Sequence, residues 1–105
     1  MNETTMEIEH ILNRSRFSTT IEGKEAYLTY RNEEGMLDIR HTIVPVGLEG
    51  RGIASALVEA ACEYAVENGL MPAATCSYAA MWIKRHPKYK GIVLDRGGTG
   101  NSCAF

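Results

Sequence analysis

Polar and apolar positions alternate through the first 46 residues, and after Gly52 the spacing changes to that of a helix. Segments from Thr5 to Leu12, Arg16 to Ile21, Glu25 to Arg31 and Met36 to Val44 carry period-2 or β-branched character, which predicts four strands. The polar links Asn13-Arg14-Ser15, Glu22-Gly23-Lys24 and Asn32-Glu33-Glu34-Gly35 are short enough for hairpins, so the four should form an antiparallel meander. In the fourth strand strict alternation would place Leu37, Ile39, His41 and Ile43 on one face, and Asp38, Arg40 and Thr42 on the other. Pro45 ends it, because proline cannot donate to the ladder.

Ile53, Ala54, Leu57, Val58, Ala61 and Ala65 then recur at i, i+3 and i+4, a stripe wide enough to seat a helix on the sheet. Asn68-Gly69 supplies the stop. The opposite face carries Glu59, Glu63 and Glu67 without a basic partner in the helix, and reads as a solvated face or a docking surface for a basic partner. Leu70 to Thr75 is a fifth strand, parallel to the fourth because a helix intervenes. Ser77 to Arg85 reads as a second helix capped by Ser77 and ended by His86-Pro87. Ile92 to Leu94 is a last short strand. The expected organisation is one domain over residues 1–96, followed by a flexible tail over 97–105.

The composition narrows the functions open to such a chain. Its 105 residues suffice for one hydrophobic core and not for two. Eleven basic against thirteen acidic side chains leave a formal charge of -2, which gives no electrostatic footprint for nucleic acid or for an anionic membrane. No apolar run approaches a membrane span, and Met1 to Thr5 is polar where a secretory signal would be basic and then apolar. A cytoplasmic protein is expected. Three cysteines, Cys62, Cys76 and Cys103, are an odd number without C-x-x-C spacing, so reduced thiols are the default and a zinc knuckle is disfavoured. His10, His41 and His86 lie far apart in sequence, and no metal is expected.

The most informative segment is Gly47 to Ser55, between a strand and a helix. Its glycines allow tight turning and leave successive N–H groups unshielded at a helix start, where the peptide dipoles favour negative charge. Phosphate oxygens are the natural occupant, and the planar fork of Arg51 suits them. A glycine-rich connection without ligand would look the same. The loop lacks the Lys-Ser/Thr pair of a P-loop, and it follows an antiparallel strand, unlike a dinucleotide fold.

With these residues in place the chain resembles the GNAT superfamily of acyl-coenzyme A-dependent N-acetyltransferases. It has antiparallel strands, a [R/Q]-x-x-G-x-[G/A]-like loop opening an amphipathic helix, a parallel strand and a second helix. More narrowly, His41-Thr42-Ile43-Val44, Gly50-Arg51-Gly52-Ile53-Ala54, Cys76-Ser77-Tyr78 and His86-Pro87-Lys88-Tyr89 resemble the GNAT-like proteins of about 100 residues. The resemblance implies an α+β, layered α-β-α fold: a mixed, mostly antiparallel sheet with two main helices. It implies acetyl-coenzyme A as cofactor, its pyrophosphate on the backbone of Gly50, Arg51, Gly52, Ile53, Ala54 and Ser55. The pantetheine arm would pair with main chain at Ile43 and Val44, where the fourth and fifth strands splay. The thioester would arrive near Cys76 and His41; Tyr78 and Tyr89, at a helix start and in a closing loop, could donate a proton, lean on the cofactor or simply pack. Glu49 is read as standing where many superfamily members carry Arg or Gln, and is expected to point away from the phosphates.

Cys76, at a strand-to-helix junction, is the candidate acyl acceptor, and His41 the candidate general base. The residues alone also allow Cys76 to be a small buried hydrophobe and His41 a hydrogen-bonded core residue. Cys62 and Trp82 read as packing and His86 as a helix terminus. The expected activity is transfer of acetyl to an amine, with a protein or peptide amine the candidate acceptor because so short a chain leaves little material for a closed acceptor pocket. The alternative is a non-catalytic acyl-coenzyme A-binding or sensor module. A monomer or weak homodimer is expected.

Overall fold

The computed structural model describes residues 7–94. Six strands form one sheet in the order of the sequence: β1 (Glu9–Ile11), β2 (Arg16–Ile21), β3 (Lys24–Glu33), β4 (Met36–Ile43), β5 (Met71–Ala74) and β6 (Ile92–Val93). The first four are antiparallel neighbours, while β4, β5 and β6 run parallel. Helix α1 (Ile53–Glu67) connects β4 to β5, and α2 (Ser77–Arg85) leads toward β6. This is the mixed, mostly antiparallel sheet with two helices that the residue pattern implies. The expected strand from Thr5 is realised only over Glu9–Ile11, its first two residues lying outside the described part. The expected 97–105 tail lies wholly outside it.

Leu57, Val58, Ala61, Cys62 and Ala65 of α1 are fully buried over Leu28, Leu37 and Ile39 of the sheet, the apolar stripe read from the sequence. The helix opens on Gly52 in the left-handed region and closes through Asn68, with Gly69 at φ +73° just beyond. Helix α2 packs beside α1 through Ala79, Trp82 and Ile83. Trp82 Nε1 donates to Ser55 Oγ at 2.8 Å, and Tyr89 OH donates to Glu63 at 2.5 Å. Glu63 therefore has a partner that the acidic stripe alone did not reveal. The cap of α2 differs from expectation: Cys76 occupies that position, without a side-chain cap, and Ser77 is the first helical residue.

The main departure lies in β4. Thr29 pairs with His41 and Tyr30 pairs with Ile39, so Arg40 has no opposite residue and forms a bulge. An extra residue reverses the pleat. Leu37 and Ile39 face the helices before it; Thr42 and Val44 do so after it, and His41 becomes exposed. The single-face assignment of Leu37, Ile39, His41 and Ile43 is thereby corrected. Buried Asp38 anchors this point from the other face, accepting from Thr75 Oγ1 at 3.0 Å on both oxygens and lying 3.8 Å from Arg40 Nε.

Candidate functional site

Strands β4 and β5 stay paired from Met36–Met71 to Ile39–Ala74. The amides of Thr75 and Cys76 both reach back to the carbonyl of Ile39, at 3.0 Å each. Beyond that carbonyl the strands separate: β4 continues through its bulge to Ile43, while the chain after β5 turns into α2. The opening has main-chain groups of β4 on one side and the start of α2 on the other.

The loop between β4 and α1 lies above this opening. Gly47, Gly50 and Gly52 have φ of +96°, +81° and +77°, values that L side chains rarely adopt. The Ala56 amide donates to Gly52 O at 3.0 Å. The amides of Ile53, Ala54 and Ser55 precede that first turn and have no partner within the helix, and Gly52 supplies no side-chain cap. A cavity of about 180 Å³ borders these groups, lined by Val44, Leu48, Glu49, Gly50, Gly52, Ile53, Ala54, Ser55 and Tyr78. Donors at a helix start, with glycines that keep side chains out of the way, suit a phosphate-bearing ligand.

Val44, Gly50, Gly52, Ile53, Ala54, Ser55 and Tyr78 thus line one cavity. Arg51 is turned elsewhere, its Nη1 3.0 Å from Glu22 Oε2 in the β2–β3 turn. From the same hairpin, Lys24 Nζ donates to the Val46 carbonyl at 3.3 Å. The hairpin therefore braces the loop from the β3 side, a role that nothing in the local sequence signals. Glu49 is exposed and borders the same cavity. Counting back three residues from Gly50, the first position of the family pattern falls on Gly47, not Glu49. Ile43 is half-buried and borders the strand opening, outside the walls of the loop cavity.

Cys76 caps α2 at the mouth of the opening, with its sulfur 3.5 Å from Thr42 Oγ1 and the residue 3% exposed. Strict alternation places Thr42 on the face of Asp38 and Arg40, and the bulge turns it toward Cys76 instead. The Cys76 sulfur is disulfide-bonded, which departs from the default of reduced thiols. The pleat carries His41 to the face of β4 opposite Thr42, so the bulge separates the two candidate residues. Cys62 is the packing residue expected: it is fully buried, and burial together with Glu63 and Glu59 pushes its thiol up to about 12. Burial raises the Tyr78 phenol, opposed by its hydrogen bond with Ser55 and by the charge of Arg85. Among the described residues no cluster of His, Cys, Asp or Glu could hold a metal ion, and no helix is long and apolar enough to cross a membrane.

A bulged strand parting from its parallel neighbour, under an amide-lined loop, defines an acyltransferase-type architecture. The family model described as GCN5-related N-acetyl-transferase matches residues 16–92, and the chain belongs to that family. Among individual relatives, it is 35% identical over 96 residues to Protein NATD1 of Danio rerio, with 87% of each chain covered. It is 35% identical over 83 residues to Protein NATD1 of Homo sapiens, covering 76% of this chain and 74% of that one. The solution structure of a GCN5-like protein from Staphylococcus aureus superposes with a TM-score of 0.67 at 26% identity, covering 94% of this chain and 98% of the other.

Proposed function

We propose that the protein binds acetyl-coenzyme A and transfers its acetyl group to an amine. The observation that carries this reading is the adjacency of loop and cysteine: Val44 and Tyr78 wall the amide-lined cavity, each two residues from Thr42 and Cys76, whose side chains meet at 3.5 Å. In this reading the pyrophosphate rests on the amides from Gly50 to Ser55, where hydrogen bonds to an ionised group are stronger than neutral ones. The pantetheine amides pair with main chain near Ile43 and Val44, and the thioester comes to Cys76.

With its disulfide reduced, Cys76 takes part in chemistry as a thiolate. Its sulfur attacks the thioester carbonyl, a new carbon–sulfur bond forms, and coenzyme A departs as a thiolate that takes up a proton. An acceptor amine then attacks the acyl-cysteine, loses a proton and returns the Cys76 thiolate. Thr42 Oγ1 can donate to that thiolate. His41 is exposed on the other face of β4, apart from Cys76, so in this reading the amine proton passes to solvent rather than to its imidazole. An open acceptor side suits an amine on a protein or peptide.

The test is intact-mass measurement after incubating the reduced protein with acetyl-coenzyme A. One acetyl adduct on the wild type and none on Cys76→Ala supports the relay. Coenzyme A binding without an adduct, and with amine acetylation undiminished in Cys76→Ala, would replace the relay by direct transfer. Binding without any transfer would leave a non-catalytic acyl-coenzyme A-binding module. Absence of any thermal stabilisation at saturating ligand, where about 2.7 kcal/mol is expected at a hundredfold excess over Kd, would sink the whole reading.

A further inference from the structure

The side chain of Asp38 is fully buried, and the acetyl-transfer reading gives it no part. A carboxylate withdrawn from water loses its hydration, and apolar residues of similar size are often at least as stable in such a place. Its contacts, rather than the stability of the sheet, account for its presence. Thr75 Oγ1 shares its proton between the two carboxylate oxygens, 3.0 Å from each. Arg40 Nε lies 3.8 Å from one of them. Thr75 is the residue before Cys76, and Arg40 is the bulged residue that turns Thr42 toward it. Both ends of the 3.5 Å contact between Thr42 Oγ1 and the Cys76 sulfur thus lead back to one carboxylate.

On the Cys76 side, main chain alone leaves a pivot. The amides of Thr75 and Cys76 converge on the Ile39 carbonyl, at 3.0 Å each. A single shared acceptor fixes how far the junction lies from β4, and still lets the chain turn about that oxygen. Tying the Thr75 side chain to Asp38, the residue next to Ile39, adds a second point and stops the turn. Cys76 follows in an extended conformation, at φ -65° and ψ 131°, and α2 begins directly after it. A rotation at Thr75 would therefore be carried straight to the sulfur. On the Thr42 side, the same carboxylate lies beside the guanidinium of the bulged residue and anchors the reversal of the pleat. Asp38 precedes that reversal and points away from the helices, so it acts on the sulfur only through its neighbours.

We propose that Asp38 is a positioning residue for Cys76: through Thr75 and Arg40 it holds the thiol and Thr42 Oγ1 at the separation where the hydroxyl can donate to the thiolate. This rests on the acetyl-relay reading and adds to it a residue on the opposite face of the sheet. A carboxylate is required there. In Asp38→Asn the amide nitrogen cannot accept, so either the Thr75 hydroxyl or the Arg40 guanidinium would lose its acceptor.

The test is the rate at which the reduced protein gains one acetyl group from saturating acetyl-coenzyme A, read by intact mass on quenched samples, with Kd measured beside it. Thr75→Val keeps the β-branched shape without the hydroxyl. It should slow adduct formation about tenfold, the scale of one hydrogen bond to a charged group, and change Kd by less than about twofold. Thr75→Ser, which keeps the hydroxyl, should retain the wild-type rate. Asp38→Asn should slow the reaction by a similar factor, and combining it with Thr75→Val should add little, because the two act as one unit. Gly69→Ala controls for a general loss of stability and should leave the rate unchanged. A wild-type rate in Thr75→Val, equal slowing in Thr75→Ser or in Gly69→Ala, or multiplied effects in the double variant would each overturn the assignment. If Asp38→Asn does not fold, the comparison of Thr75→Val with Thr75→Ser decides alone. Absence of any adduct on the wild type would instead overturn the relay on which the assignment stands.

Discussion

Gly52 offers a separation of stability from binding, because it joins the loop cavity to α1 at φ +77°. Gly69, just past the other end of the same helix, has φ +73°, and an added Cβ would have no neighbour within 4 Å at either position. Substitution by alanine therefore meets backbone strain in both cases and no clash in either. The left-handed region costs an L residue roughly 1–2 kcal/mol. About 0.4–1 kcal/mol of that is offset, because alanine has less freedom to lose from the unfolded chain. A net loss of about 1 kcal/mol should lower Tm by about 4–8 °C in a domain of this size, and by similar amounts in Gly52→Ala and Gly69→Ala. Binding should divide them. Gly52→Ala adds a methyl group to the cavity wall and shifts the amides that follow. Loss of one amide-to-phosphate hydrogen bond, about 1.5–3 kcal/mol, is roughly tenfold or more in Kd. Gly69→Ala should leave Kd unchanged. Thermal melts and calorimetry on the two variants check this. An unchanged Tm in Gly52→Ala would refute the strain argument, and equal weakening of coenzyme A binding by the two would refute the placement of the phosphates.

Arg51→Gln removes a side chain held by Glu22 outside the cavity wall. Acetyl-coenzyme A affinity should change by less than about threefold, and Tm by little, since exposed ion pairs contribute about 0–1 kcal/mol; a tenfold loss would return Arg51 to the phosphates. Cys62 gives an alkaline signature. Burial pushes its thiol up to about 12 from an ordinary 9.0, so its contribution is complete below pH 9 and is lost as pH rises toward 12. Over that window wild-type stability should fall more steeply than that of Cys62→Ala, by about 1.4 kcal/mol per pH unit. Parallel pH curves from chemical denaturation would show that Cys62 is not buried as a thiol.

Much of the fold was legible because it is written in local periodicities. The apolar stripe of α1, the Asn68-Gly69 stop, the span of α2 and the glycines of the loop each depend on residues a few positions apart. The candidate site was legible only as far as its backbone part. Glycines and a helix start advertise free amides wherever the chain goes, so Gly50 to Ser55 could be placed from sequence. Side-chain roles fared differently. His41 and Thr42 exchange faces at a single unpaired residue, and which one faces Cys76 depends on where β3 stops matching β4.

What the sequence determined by itself was the order and type of the elements and the position of the amide-lined loop, since both follow from short-range sterics and hydrophobic spacing. Only the tertiary structure decided which side chains meet at the site. The bulge at Arg40 is fixed by pairing with Thr29 and Tyr30 on β3 and anchored by Asp38 and Thr75, 37 positions apart. Arg51 meets Glu22 across 29 positions, and Trp82 meets Ser55 across 27. Such contacts form because folding packs a helix against a sheet and a hairpin against a loop, and no period in the chain encodes that proximity.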